Sequence, residues 1–213
     1  MKKLMGLICI TFISTTIIAQ QGKTIVLNKP DTDRGLSVMK AFELRASVQE
    51  FDTSMLSLQD LSDLLWATNG INRPESGKRT APSAMNSQDI DVYVCMKQGF
   101  YLYDPKQNLL NLVAQGDHRA IIAGRQINMA NAPVFLLLVS DISRFQRGED
   151  SLKIGWANMD AGIVSQNIAL FCAGTGLCTR PRASMDQQKL REILKLSKTQ
   201  YPLLNNPVSY KKK

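Results

Sequence analysis

Residues 152–174 constrain the fold of this chain more than any other segment. Apolar residues recur there at helical spacing, which predicts one long, largely buried helix. Just before it, residues 133–140 form a continuous apolar run that predicts a strand buried on both faces. Just after it, a glycine-containing break leads into 177–181, where a further strand is expected. A buried helix between strands of this kind indicates one α+β domain.

The remaining segments alternate between helix and strand patterns, with no internal repeat. Helices are predicted over 36–46, 56–68, a short stretch around 118–127, and 186–194 with Asp186 as the N-cap. Residues 90–96 alternate as in a half-buried strand, 100–103 return as its hairpin partner, and 207–210 are strand-like. Residues 70–88 are rich in Gly, Pro, Ser and Asn, which predicts a loop.

The N-terminus has the pattern of a cleaved export signal over residues 1–20. Lys2 and Lys3 give it a positive start, residues 4–18 are mostly apolar, and Ala19 is a small residue just before the expected cut. A single-pass anchor is the alternative, but the apolar run is shorter than the roughly 20 residues that a bilayer span needs. We therefore expect an exported, periplasmic protein whose mature form has no membrane span.

The mature chain is long enough for one domain with a full hydrophobic core. A polar lead-in is expected over 21–35 and the domain itself over 36–213. The whole sequence carries a net charge of +8, part of it in the terminal lysines. This excess favours anionic ligands, but it is not interleaved with aromatic residues as in a nucleic-acid groove, so no nucleic-acid partner is expected.

The cysteines and the histidine do not suggest a metal site. Cys95, Cys172 and Cys178 remain after signal cleavage, an odd number with no CxxC spacing, so a disulfide framework is not expected, although one bridge stays open. Cys95 lies in an apolar strand and Cys172 on an apolar helix, which favours packing roles. His118, the single histidine, cannot build a metal cluster alone and is expected to be structural.

Two short clusters carry the functional signal. Arg45, Ala46 and Ser47 put a guanidinium and a hydroxyl at a helix end, where an anionic group can be gripped. Residues 82–88 form a proline-led run of small and amide residues, suited to hydrogen bonding with a flat polar ring. Arg45 could instead complement the helix dipole, and the second run could be an ordinary turn. Together, however, the two clusters predict a site for flavin mononucleotide (FMN).

Several of these motifs resemble the nitroreductase superfamily, and most closely its branch of SagB-type dehydrogenases, over about residues 36–210. The matching positions are Arg45 to Phe51, Trp66 to Gly70, Arg79 to Ser83 with Asn86, Gly116 to Arg119, Ala132 to Val134, Asp160 to Gly162, Gln166, Asn167, Gly176 and Leu177. The resemblance implies a single α+β domain with a mostly antiparallel central sheet, flanking helices and a long buried central helix. It also implies an intertwined homodimer.

By the same resemblance, FMN binds at the dimer interface and carries out ping-pong hydride chemistry at its N5 atom. NAD(P)H or another reductant would donate electrons, and a small-molecule acceptor would take them. Because the flavin supplies the chemistry, no catalytic side chain is expected.

The resemblance also assigns roles to individual residues. Arg45, Ala46 and Ser47 would grip the phosphate from one subunit, while Gln49 occupies a position where the family carries a second basic residue. Lys211 or Lys212 after the last strand could replace that charge. The other implied contacts are Pro82, Ser83, Ala84 and Asn86 from the other subunit, Gln126 at the pyrimidine edge, and Pro181, Ala183 and Ser184 near N5.

Two further functions remain open. Export separates the protein from cytoplasmic NAD(P)H, so it could be a flavin-binding or electron-carrier protein without NAD(P)H turnover. The SagB-type branch also implies azoline oxidation on peptides. This alternative is the weaker one, because no peptide-docking extension is visible in the sequence.

Overall fold

The computed structural model describes residues 24–212, so the expected export signal and Lys213 lie outside the described residues. Its centre is a seven-stranded sheet in the order β1-β6-β5-β4-β7-β9-β8, with every neighbouring pair antiparallel. Its strands are β1 Thr24–Val26, β4 Ile90–Met96, β5 Gly99–Asp104, β6 Leu109–Gln115, β7 Val134–Asp141, β8 Leu177–Thr179 and β9 Gln200–Tyr210. A separate hairpin pairs β2 Ile71–Arg73 with β3 Lys78–Arg79.

Helices cover both faces of this sheet. They are α1 Val38–Leu44, α2 Leu58–Asn69, α3 Arg119–Ala123, α4 Asp150–Thr175 and α5 Gln187–Leu194. One apolar core joins α2 and α4 to the sheet, and a second joins α3 and α5 to its opposite face. The expected α+β domain, with a mostly antiparallel sheet and a long helix that buries one side, is therefore confirmed.

The helix ends follow the local sequence. Asp186 caps α5 by accepting from the N–H of Lys189, as the sequence predicts. Ser57, which was not predicted as a cap, caps α2 by accepting from the N–H of Asp60. Gly176 ends α4 with a φ of 79°, a left-handed conformation that glycine adopts without strain. The turn into β8 is set by this glycine.

Some expectations were wrong in detail. Strand β4 is buried on both faces rather than half-buried, because Tyr93 and Cys95 pack under α3 and α5. The expected loop over 70–88 contains the β2–β3 hairpin and a 3₁₀ turn at Ala84–Asn86. The helix expected around 118–127 is only α3, because Gly124 takes a φ of 56° and a 3₁₀ turn follows over Ile127–Asn131.

The sequence also left strands unassigned. Strand β6 was not predicted, β9 is longer than the expected 207–210, and β1 lies within the expected lead-in. The lead-in is tied to the domain, since Arg34 forms ion pairs of 2.7 Å with Asp60 and 2.6 Å with Asp63. Residues 24–35 therefore belong to the folded unit.

The cysteines and the histidine have the expected structural roles. Cys95, Cys172 and Cys178 are buried free thiols, and burial raises the pKa of Cys95 and Cys172 well above the usual range. The His118 ring stacks on Phe100 with 5.5 Å between ring centroids. None of the helices in residues 24–212 has the length and apolar character that crossing a membrane requires.

Candidate functional site

The first cluster begins where α1 ends. Arg45 is the C-cap of α1, and its backbone N–H donates to the carbonyl of Ala41. The chain then turns alongside β8, where Ser47 pairs with Thr179 and the N–H of Val48 donates to the Thr179 carbonyl at 3.2 Å. Strand β8 thus fixes the backbone of the cluster and leaves the side chains of Arg45 and Ser47 exposed.

The C-terminal tail brings further positive charge to this cluster. Lys211 follows β9 and lines a cavity of about 160 Å³ together with Ala46. Lys212 instead pairs with Glu50 at 2.8 Å, a contact that lowers the pKa of Glu50. Within residues 24–212, no carboxylate lies within ion-pair distance of Arg45 or Lys211. Their charges and the Ser47 hydroxyl therefore fit the donor set that a phosphate requires.

A buried arginine holds the 181–184 segment, which follows β8. Arg182 is only 5 % exposed, and its main chain forms two hydrogen bonds with Asn205, of 2.9 and 2.7 Å. Its guanidinium donates to the Asn205 Oδ1 atom at 2.8 Å and to the Ala123 carbonyl at 2.8 Å. Burial lowers the pKa of Arg182, but these neutral acceptors satisfy its N–H groups.

The same guanidinium orients Gln126. Arg182 Nε donates to Gln126 Oε1 at 2.8 Å, so the amide oxygen of Gln126 is occupied. The Nε2 group of Gln126 is then the part left to donate to a ligand, and a flavin pyrimidine carbonyl is a suitable acceptor. The role expected for Gln126 thus depends on Arg182, which the sequence did not single out.

A cavity of about 810 Å³ opens between α3 and the residues that follow β8. Ala183 and Ser184 line it together with Arg125 and Lys189, and Lys189 pairs with Asp186 at 3.4 Å. No described residue accepts a hydrogen bond from the backbone N–H of Ala183 or Ser184. These groups therefore remain able to donate to a bound heterocycle, as the flavin N5 role requires.

The second cluster is a strained loop, named here the 82–88 loop and comprising Pro82 to Gln88. Met85, Asn86 and Gln88 have φ values of 55°, 53° and 49°, which residues other than glycine seldom adopt. Within the loop, Ser83 Oγ accepts from the N–H of Gln88 at 2.8 Å. Strain of this kind persists only where the surroundings enforce it, and it is common at ligand sites.

Two buried carboxyl groups enforce the loop conformation. Asp160 of α4 is 3 % exposed, and its two carboxylate oxygens lie 3.1 and 2.9 Å from the N–H of Ala84. Asp89 ends the loop, is fully buried, and accepts a short hydrogen bond from Ser140. Burial, together with the hydrogen bond and charge of Asp160, raises the pKa of Asp89 to about 7.

One chain does not bring the two clusters together. Ser140, which contacts Asp89, pairs with Tyr201 of β9, whereas Thr179, which pairs with Ser47, lies opposite Val208. Tyr201 and Val208 are seven residues apart on β9, which corresponds to roughly 23 Å at about 3.3 Å per residue. The hydrogen bonds of the 82–88 loop reach 77–79, Asp89, Arg144 and Asp160, but among the described residues none reaches 45–47 or 181–184.

The structure therefore places the sequence-predicted residues in three groups. Arg45, Ala46, Ser47 and Lys211 lie together at the end of β8 and β9, and Gln126 with 181–184 lies alongside α3. Pro82, Ser83, Ala84 and Asn86 lie beside α4 at the other end of the sheet. Gln49 is exposed and supplies no charge.

Sequence reasoning did not identify Arg182 or Asp89 as supporting residues. Asp160 was noted only as part of a family-like motif. For Asp160 the available signal was a charged residue inside a largely apolar helix, whereas Arg182 and Asp89 lie in polar segments that give no such signal.

Comparisons with known proteins identify the family of this chain. The profile of the nitroreductase family matches residues 43–208, and the chain belongs to that family. A nitroreductase homologue from Methanocaldococcus jannaschii is 30% identical over 199 residues, which cover 89% of this chain and 98% of the relative. Membership of the nitroreductase family supports an oxidoreductase activity for this protein.

Solved structures show the same fold. A structure described as a nitroreductase from Ralstonia eutropha JMP134 is 33% identical, with a TM-score of 0.85 over 92% of this chain and 93% of that one. The E. coli microcin synthetase complex McbBCD, with truncated pro-MccB17 bound, contains a chain that superposes with a TM-score of 0.69 at 19% identity. That match covers 95% of this chain and 85% of the other, and shows the fold alone.

Proposed function

We propose that this protein is an exported, FMN-dependent oxidoreductase of the nitroreductase type that works as a homodimer. The observation that carries the proposal is the placement of two cations around Ser47, whose backbone pairs with β8: Arg45 ends α1, and Lys211 lines a cavity with Ala46. Within residues 24–212, neither cation has a carboxylate within ion-pair distance. This set suits the FMN phosphate, and the free N–H groups of Ala183 and Ser184 suit the ring. Within the family we assign the chain to the SagB-type branch, on the motifs described above.

The chain's own residues bind and orient the cofactor. Arg45, Ser47 and Lys211 hold the phosphate, while Gln126 donates from Nε2 to a pyrimidine carbonyl. Ala183 or Ser184 donates a backbone N–H at N5, which favours the electron-rich reduced ring. Bound FMN supplies hydride transfer at N5, so the donor and the acceptor use one site in turn, in a ping-pong sequence.

A second copy of the chain would complete the site. The 82–88 loop lies roughly 23 Å along the sheet from the phosphate residues, at about 3.3 Å per residue, so the loop of a partner is the better candidate to cover the ring. Exposed apolar side chains on α1 and α4 provide a surface for that partner: Val38, Met39, Phe42, Leu152, Met159 and Ile163. Exposed apolar surface of this extent is typical of an interface.

The cofactor assignment has a direct test. Mature protein purified from residue 21 onward should be yellow, and denaturation should release a flavin that co-chromatographs with FMN. A colourless protein that also fails to take up added FMN would contradict the proposal.

The electron donor can be tested separately, because a periplasmic protein would have no access to cytoplasmic NAD(P)H. Stopped-flow mixing with NADH or NADPH should bleach the flavin if these are the donors. Bleaching by dithionite alone would favour the alternative, an exported flavin-binding or electron-carrier protein without NAD(P)H turnover. Cell fractionation and N-terminal sequencing of the mature protein test export.

A further inference from the structure

The strained 82–88 loop is held at both of its ends by buried acids. Near its start, the N–H of Ala84 donates to the carboxylate of Asp160, with N–O distances of 3.1 and 2.9 Å. At its end, Asp89 is fixed by Ser140 of β7 and by the N–H of Asp141, which donates to the Asp89 carbonyl at 2.9 Å. Between these anchors lie all three left-handed residues of the loop.

The two acids bind the same turn of the loop. Ser87 Oγ donates to Asp89 at 3.3 Å, the N–H of Ser87 donates to the carbonyl of Ala84 at 3.1 Å, and Ala84 itself donates to Asp160. Both acids are almost fully removed from solvent, and burial, together with the hydrogen bond and charge of Asp160, raises the pKa of Asp89. Two buried carboxylates that affect each other in this way cannot both carry a charge without strong repulsion, so one proton is expected between them. Asp160 accepts from Ala84, and Asp89 is then the member that carries the proton.

We propose that Asp160 and Asp89 are positioning residues that share one proton and thereby hold the 82–88 loop in its ligand-binding conformation. Loss of that proton places two negative charges against each other and loosens the loop. The inference rests on the proposed function, because the loop is the segment assigned to the flavin ring.

The surrounding charges do not replace the proton. Arg144, on the 3₁₀ turn Ile142–Arg144, donates to the Gln88 carbonyl at 2.9 Å, but its charge is taken by Asp91 at 2.6 Å and by Asp141 at 3.9 Å. In the part of the chain that the structure describes, no other charged side chain contacts the pair. Ionisation of Asp89 would therefore go uncompensated.

Three substitutions separate positioning from a general effect on the fold. In Asp89→Asn the amide NH₂ donates permanently to Asp160, so the loop should stay fixed at every pH. In Asp160→Ala the acceptor for Ala84 is lost, and the loop should be loose at every pH. Asp150→Asn is the matched control, since Asp150 lies exposed in the first turn of the same helix.

Should Asp160→Ala fail to fold, Asp160→Asn replaces it. The amide oxygen there can still accept from Ala84, while its NH₂ donates to the Asp89 carboxylate. This variant should keep the loop fixed and remove the pH dependence, as Asp89→Asn does.

The first measurement needs no flavin. Hydrogen-exchange protection of the Ala84 amide is measured on the full mature protein between pH 6 and pH 8.5, corrected for intrinsic exchange. In the wild type and in Asp150→Asn, protection should fall by up to about tenfold per pH unit above the pKa of Asp89. In Asp89→Asn it should stay constant, and in Asp160→Ala it should be lost throughout.

The second measurement is riboflavin affinity over the same pH range, since riboflavin lacks the phosphate that itself titrates near pH 6. Affinity should follow Ala84 protection from variant to variant. Identical pH profiles for the wild type and Asp89→Asn, or equal riboflavin affinity in Asp160→Ala and Asp150→Asn, would overturn the inference. If no variant binds any flavin, the proposed function fails, but the protection data still decide whether the acids hold the loop.

Discussion

At the residue scale, the phosphate cluster depends on few charges. Gln49 contributes none, and Lys212 is taken by Glu50, which leaves Arg45 and Lys211. Arg45→Ala should weaken FMN binding about tenfold to a hundredfold, because a charge-assisted bidentate contact is worth about 1.5–3 kcal/mol. Riboflavin affinity should hardly change. Isothermal titration of both flavins measures this.

The two tail lysines give a matched pair for the same titration. Lys211→Ala should reduce FMN affinity by a smaller factor than Arg45→Ala. The flexible ammonium group of a lysine binds a phosphate less specifically than the planar guanidinium of an arginine, which can form two hydrogen bonds at once. Lys212→Ala should leave FMN affinity unchanged. Equal losses for FMN and riboflavin in any of these variants would mean that the residue supports the fold or the dimer instead of the phosphate.

Asp89 should make stability depend on pH. Its pKa is raised from an ordinary 3.8 to about 7 in the folded protein, so between these values the folded state holds a proton that the unfolded state has released. Stability therefore falls as pH rises through this window, by at most about 1.4 kcal/mol per pH unit, and the loss is complete above it.

Asp89→Asn removes this penalty because the amide does not ionise. Its free energy of unfolding relative to the wild type should be similar at pH 4 and should increase toward pH 8, as urea denaturation at several pH values would show. Asp150→Asn should show no comparable trend. A constant difference between Asp89→Asn and the wild type would mean that Asp89 does not take up a proton on folding.

At the scale of elements, the sequence predicted what its own pattern encodes. Local apolar patterns predicted helix α4 and strands β4 and β7. A capping residue, Asp186, predicted the start of α5. The sequence predicted only the last residues of strand β9, 207–210, because Pro202, Asn205 and Asn206 are typical of loops. Asn205 is fully buried there because Arg182 pairs with it, and such a tertiary contact leaves no periodic signal.

Gly99 fixes the contact between β5 and β6. A Cβ atom there would lie 2.3 Å from the backbone oxygen of Ala114, a clash that neither strand can relieve without moving. Gly99→Ala should lower the free energy of unfolding by about 1–3 kcal/mol, the usual cost of overpacking. Urea denaturation measures the change.

Gly174→Ala is the control for that substitution. Its added Cβ would be 3.6 Å from the Ala41 side chain, an ordinary contact, and it lies within α4. Alanine is favoured over glycine in a helix by about 0.5–1 kcal/mol, so this variant should be neutral or slightly more stable. Equal destabilisation in both variants would argue against the close approach at Gly99.

At the scale of the whole molecule, the sequence indicates both halves of the candidate site, and the family resemblance implies that they come from different subunits. Periodicity and motifs identify Arg45, Ser47 and the 82–88 loop one by one, whereas their separation along β9 follows only from strand register. The same separation makes dimerisation a requirement of the proposed cofactor site. Oligomeric state and flavin affinity should therefore change together.

A charge placed on the exposed face of α4 tests that requirement. Met159 is 59 % exposed and lies on the same helix face as Leu152 and Ile163. Met159→Glu would bury a carboxylate in the proposed interface, so analytical ultracentrifugation should show a shift from dimer to monomer. FMN affinity should fall in the same variant, because each chain then lacks its partner's 82–88 loop.

Val26→Glu is the matched control for Met159→Glu, because Val26 is also an exposed apolar residue (71 %) but lies on the edge strand β1, away from α4. It should leave both the dimer and FMN binding intact. A Met159→Glu monomer that binds FMN as tightly as the wild type would show that one chain suffices for the site. In that case the 82–88 loop would have no part in binding across subunits, and Arg45, Lys211, Gln126 and residues 181–184 of a single chain would have to account for the whole affinity.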